Sequence, residues 1–187
     1  MALLNFKTIS RKNADKLAIT LEQAKAHCFI VEDDHTQDAI LTDLILTAQS
    51  ILENDNAMPY CFSQGTYSAT FSNEKDRVML PKCPVISIDK IEEKSGNEYK
   101  EISLDEATLE QGDNCDFAVL KNYTRGQDRT LRITFTAGND NVRLDLKQAV
   151  AQLVAHLYEY RGMTTSQQLF DNPIYKLIVG RLKRFSI

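Results

Sequence analysis

At 187 residues, 43% hydrophobic and 26% charged, the chain is long and apolar enough to bury a core without disulfide or metal staples, and lies far from the composition of a disordered segment. Its net charge of -4 offers no general attraction for nucleic acid, because duplex binding draws on lysines and arginines that displace counterions. No apolar run approaches the ~20 residues that cross a membrane, and the start Met1-Ala2-Leu3-Leu4-Asn5-Phe6-Lys7 lacks the pattern of a signal peptide, so folding in a cytoplasm is expected.

The first structural signal is Thr20-Leu21-Glu22-Gln23, a capping box. The threonine hydroxyl can accept from the third helical amide while Gln23 reaches back to the Thr20 amide, so a short helix starts at Leu21 and runs to about Cys28. Phe29-Ile30-Val31 and the acids Glu32-Asp33-Asp34 follow, placed where carboxylates favour the start of a second helix. That helix carries the stripe Ile40, Leu41, Leu44, Ile45, Ala48, Ile51 and Leu52, which has a 3.6-residue period. Asn54-Asp55-Asn56 and Met58-Pro59 end it.

A β-rich section comes next. Tyr67, Ala69 and Phe71 alternate with polar residues, Val78 and Leu80 do the same, and Val85 to Ile91 is rich in β-branched residues. Glu92 to Ile102 reads as a hairpin turning near Ser95-Gly96-Asn97. Glu101 to Asp116 holds six acids and no base, the composition of a solvated loop. The strand Arg129 to Thr136 is the clearest, with Leu131, Ile133 and Phe135 on one face and Thr130, Arg132, Thr134 and Thr136 on the other.

After Ala137-Gly138, a third helix spans roughly Val142 to Arg161 with Leu146, Ala149, Val150, Leu153, Val154, Leu157 and Tyr160 on one side. Asp171-Asn172-Pro173 then caps a fourth, which runs to about Phe185. These elements predict an α+β fold: a helical bundle of about four helices bracketing a central β-rich section of short antiparallel strands. Residues 1–187 form a single domain on this reading, with helices at about 20–53 and 142–161 as its core, the β section at about 60–136 and the C-terminal helix at about 172–185.

Catalytic chemistry is sparse. His27-Cys28 suggests a base beside a nucleophile, but adjacent helical residues point about 100° apart, and Cys28 continues the stripe of Leu21 and Ala24. His156 has no second histidine or acid three or four positions away on its face, so packing is the simpler role. Cys28, Cys61, Cys83 and Cys115 stand 33, 22 and 32 positions apart, which is neither zinc nor redox spacing. The glycines form no phosphate loop, and Asp113-Asn114-Cys115-Asp116 breaks the calcium-loop pattern. No catalytic, cofactor or metal site is therefore expected. The alternative is a small hydrolase or transferase using His156 or Cys28 in a cleft between helices and sheet. The last helix alternates Ile174, Leu177, Ile178 and Leu182 with Arg181, Lys183 and Arg184, which suits either its own dipole or docking on a neighbour.

Three segments together resemble the head-tail connector family of tailed phages and prophages, also described as adaptor, head-completion or DNA-packaging proteins. They are Ile19 to His27 with the Glu32-Asp33-Asp34 loop, Leu80-Pro81-Lys82-Cys83-Pro84-Val85-Ile86-Ser87-Ile88, and Leu131 to Gly138 leading into Leu146-Lys147-Gln148-Ala149-Val150 and His156 to Arg161. The chain departs from that family at Glu53-Asn54-Asp55-Asn56, where a glycine turn is usual, and matches only loosely beyond Arg161. The resemblance implies a non-enzymatic protein of the virion neck, assembled in the bacterial cytoplasm as a homo-oligomeric ring, a dodecamer in the virion. Its implied partners are the portal protein above, a downstream neck, stopper or tail protein below, and double-stranded DNA passing through without sequence reading; no membrane is involved. A different neck or tail-completion protein is the neighbouring alternative.

Overall fold

The computed structural model describes residues 2–12, 16–54, 59–73, 76–112, 115–121, 129–138, 141–160 and 180. The chain divides into two compact units, one of Met1–Ala14 with Pro59–Asp140 and one of Asp15–Met58 with Asn141–Ile187.

The first unit is built from strands β1 (Ala2–Arg11), β2 (Gly65–Asn73), β3 (Arg77–Met79), β4 (Val85–Ser95), β5 (Glu98–Ile102), β6 (Ala107–Glu110), β7 (Phe117–Leu120) and β8 (Arg129–Ala137). They make a five-stranded sheet in the order β1-β2-β8-β4-β5 and a three-stranded sheet in the order β3-β7-β6, antiparallel throughout. The β2–β8 ladder runs without a register shift and sets Tyr67 beside Phe135, Ala69 beside Ile133 and Phe71 beside Leu131. Because side chains alternate across a strand, this register gathers every apolar residue on one face. There they meet Val78, Leu80, Ala118 and Leu120 of the small sheet and its flank in one buried cluster. Phe6 and Phe135 each bring their rings to 5.8 Å from that of Tyr67. Burial of side chains of this size contributes about 1.5–3 kcal/mol each before chain entropy is subtracted.

At the rim of the core face Arg129 grips Glu93 through Nε and Nη2 at 2.6 and 2.7 Å. On the outer side of the large sheet Lys90 contacts Glu92 at 2.9 Å and Glu101 at 3.4 Å. The Arg132 guanidinium lies 3.5 Å from the centre of the Tyr99 ring.

The second unit holds α1 (Leu21–His27), α2 (Asp38–Asn54) and α3 (Leu144–Glu159), each in contact with the other two. The Thr20–Gln23 capping box forms as the sequence specifies, with reciprocal bonds of 3.2 and 3.1 Å. Leu41, Ile45, Ala48 and Leu52 of α2 and Leu146, Ala149, Val150, Leu153 and Val154 of α3 are buried. Ile40, expected in the stripe, is exposed. Buried Gln49 staples the approach to α1: its Oε1 accepts from the Ala18 N–H at 2.9 Å and its Nε2 donates to the Lys16 carbonyl at 3.1 Å.

This architecture corrects the expected bundle of about four helices bracketing a β section. The described residues hold three α-helices and eight strands in two antiparallel sheets, and a strand rather than a helix opens the chain. β1 escapes a period-2 reading because it is an edge strand with two register shifts, and all its residues of described burial except Phe6 are exposed. Its order comes from the ladder with β2. The acidic stretch 101–116 is likewise no plain loop: it contains the end of β5, a 3-10 turn at Leu104–Glu106 and β6, which pairs with β7. Its acids conceal the strand because only the Ala107 and Leu109 side chains turn toward the core. The C-terminal helix expected at about 172–185 lies outside the described residues, apart from Gly180.

Candidate interaction surface

The residues suspected of chemistry are not assembled into a site. His156 is half-buried on α3, its ring 4.7 Å from that of Tyr160 and tilted against it. Cys28 is the half-buried C-cap of α1, and none of the four cysteines is in a disulfide. Among the described residues no group of three histidines, cysteines or acids is placed to hold a metal. The concavity between α1 and α3, about 180 Å³, is lined by Ile19, Ala26, Leu144 and Ala151, with Gln23, His27, Lys147 and Gln148 as its polar members. Neither His156 nor Cys28 lines it. Ile174, Leu177, Ile178, Arg181, Leu182, Lys183 and Arg184, the expected docking residues, lie outside the described residues.

The end of α1 supplies the most unusual surface feature. The Ile30 N–H donates to the Lys25 carbonyl at 2.9 Å and the Phe29 N–H to the Ala26 carbonyl at 3.4 Å. This is the Schellman pattern of helix termination, in which the residue past the cap adopts a left-handed backbone and is usually glycine. Here it is Phe29, with φ of 56°. A Cβ in that conformation costs roughly 1–2 kcal/mol. Phe29 gains no burial in return, since it is 97% exposed, and Val31 beyond it is 72% exposed.

Lys25 holds the loop in place. Its side chain is buried, and its ammonium donates to the Glu32 carbonyl at 2.9 Å while lying 2.8 Å from Asp38 Oδ1, a charge contact off the ideal hydrogen-bond direction. His35 Nδ1 approaches the other Asp38 oxygen at 2.9 Å. Lys25 first, and then His35, holds the Asp38 carboxyl below its ordinary 3.8, against a smaller upward push from desolvation. A depressed folded-state value stabilises the loop fully above the unfolded-state value, and that contribution is lost as the pH falls through the folded-state value. Hydrogen-exchange protection at residues 29–34, taken relative to the intrinsic rate at each pH, is therefore expected to fall below about pH 4 in the wild type. In Asp38→Asn protection should already be low at neutral pH and change little on acidification; an unchanged acid response of the protection factors in that variant would refute the assignment.

Phe29 and Val31 were visible in the sequence without a role, whereas Lys25 and Leu144, the latter 82% exposed, went unremarked. The available signal was an apolar triplet at a helix end, outside any helical stripe and directly followed by three acids. A helical unit with an exposed aromatic, an apolar groove and exposed carboxylates presents a surface suited to contact with other proteins. The chain belongs to the head completion protein family, whose model matches residues 18–169, and is thus a structural protein of phage virion assembly.

Solved structures from gene transfer agent particles share its fold. The neck of the empty particle, computed with C6 symmetry, contains a chain 16% identical with a TM-score of 0.69, covering 98% of this chain and 97% of that one. A chain of the native virion matches with a TM-score of 0.70 at 16% identity, covering 97% and 96%. The native neck, computed with C12 symmetry, gives 0.69 at 16% identity over 98% and 97%. No curated protein matches the chain.

Proposed function

We propose that the protein is the head-tail connector, or adaptor, of a phage neck: a non-enzymatic subunit that closes into a ring beneath the portal. The ring extends the DNA channel and offers a platform to the next neck, stopper or tail protein. The observation that carries this reading is the family match over 18–169 joined to a fold shared almost end to end with chains from neck-bearing particles. The C12 symmetry of one such neck favours a dodecamer. DNA passes without sequence reading, in keeping with the net charge of -4, which limits phosphate contacts. A cyclic ring needs two different complementary patches on each subunit. The segment 171–187 supplies one of them, through Ile174, Leu177, Ile178 and Leu182 or the basic Arg181, Lys183 and Arg184.

Complementation of a phage lacking the gene tests this. The full chain is expected to restore tailed, infectious particles. A chain ending at residue 170 is expected to fold as a monomer that enters no neck, with infectivity reduced at least tenfold. Complete particles assembled without the protein would overturn the function, and normal assembly with the shortened chain would overturn the role of its tail.

A further inference from the structure

We propose that Phe29 is a knob that seats in the α1–α3 groove of a second copy of this chain, making a head-to-tail contact between ring neighbours. Three observations converge on that occupant. Phe29 holds a left-handed position that favours glycine, yet its ring is almost wholly exposed, so neither backbone ease nor its own core explains it. The groove offers about 180 Å³ over Ile19, Ala26, Leu144 and Ala151, and a cavity of about 150 Å³ is enough to hold benzene. Charge is complementary as well: the exposed Glu32 and Asp33 follow the knob, whereas Lys147 lines the groove.

The knob is a loop past the end of α1, and the groove is formed by other residues on α1 and α3. In the head-to-tail arrangement proposed, each subunit offers its knob to one neighbour and its groove to the other, a contact that repeats around a rotation axis and closes a ring. Lys25, through its hydrogen bond to the Glu32 carbonyl and its charge contact with Asp38, fixes the loop before binding, which lowers the ordering cost of association. This inference rests on the ring reading above.

The test uses two full-length variants, Phe29→Gly, which removes the knob and relieves the left-handed residue, and Ala26→Trp, which fills the groove from an exposed helical position. Phe29→Gly is expected to keep or raise the thermal midpoint while cutting the yield of particles with an occupied neck at least tenfold. Ala26→Trp should cut it similarly with little change in midpoint. In sedimentation experiments each variant alone is expected to remain monomeric. An equimolar mixture should form one-to-one dimers, because one free knob meets one free groove.

Normal neck occupancy with either variant overturns the proposal. Loss of occupancy without dimers in the mixture also overturns it, by assigning Phe29 to a different partner such as the portal. If wild-type particles show no ring at all, the ring reading fails and this contact falls with it.

Discussion

Replacing Asp116 with leucine is expected to lower the stability of the β unit by about 2 kcal/mol, because the buried Val85 amide and the more exposed Gly112 amide lose a shared acceptor. Asp116 is 2% exposed. Its Oδ2 accepts from the Val85 N–H at 2.6 Å and its Oδ1 from the Gly112 N–H at 3.1 Å. Its own carbonyl accepts from the Leu80 N–H at 2.9 Å. One side chain thus ties the start of β4 to the segment that leads into β7, while its backbone ties in the residue after β3. Leucine would restore the packing volume but leave the buried Val85 amide without a partner, while the exposed Gly112 amide turns to water, and the loss should outweigh the added apolar burial. Asparagine retains one acceptor oxygen and should recover part of the loss. Urea denaturation followed by circular dichroism measures the order expected: wild type, then Asn, then Leu. Equal midpoints for wild type and Leu would show that water satisfies those amides instead.

Gly138→Ala is expected to cost about 3 kcal/mol, unusually large for the addition of one methyl group. Gly138 follows β8 with φ of 115°, a conformation that side chains rarely adopt, and its N–H donates to the Pro84 carbonyl at 2.8 Å. A Cβ there would also overlap the backbone at Ser63 and Gln64, which cannot swing aside as a flexible side chain would. Backbone strain and steric overlap add, whereas Gly96→Ala in the β4–β5 turn meets open space and carries only the conformational cost of its φ of 63°. Parallel melts should place Gly138→Ala several degrees below Gly96→Ala. A reversed order would contradict the crowding at Ser63.

Some consequences of the sequence are nearly local, and those were legible. The Thr20–Gln23 box set the start of α1, the alternation at Tyr67, Ala69 and Phe71 and at Leu131, Ile133 and Phe135 set the inward faces of β2 and β8, and Ser95-Gly96-Asn97 placed the hairpin turn. Where a segment takes its order from a distant partner, local reading failed. β1 has no inward stripe to announce it and is held by a ladder to residues some sixty positions away. β6 was hidden among exposed acids, and Asp116 read as one more solvated carboxylate although the fold buries it against the amides of Val85 and Gly112. The interaction surface divides in the same way: Phe29 stands out as an apolar residue beside acids, but its left-handed backbone and the groove between α1 and α3 exist only in the folded chain.

By itself the sequence determined helix starts, strand faces, the absence of a nucleotide or zinc motif, and the resemblance that pointed to a phage connector. Tertiary structure alone decided that a strand opens the chain, that two antiparallel sheets share one core, and that Asp116 is internal. The physical reason is range: capping, turn chemistry and side-chain alternation act within a few residues, whereas sheet order and the burial of a polar group depend on which distant backbone supplies the other half of each hydrogen bond.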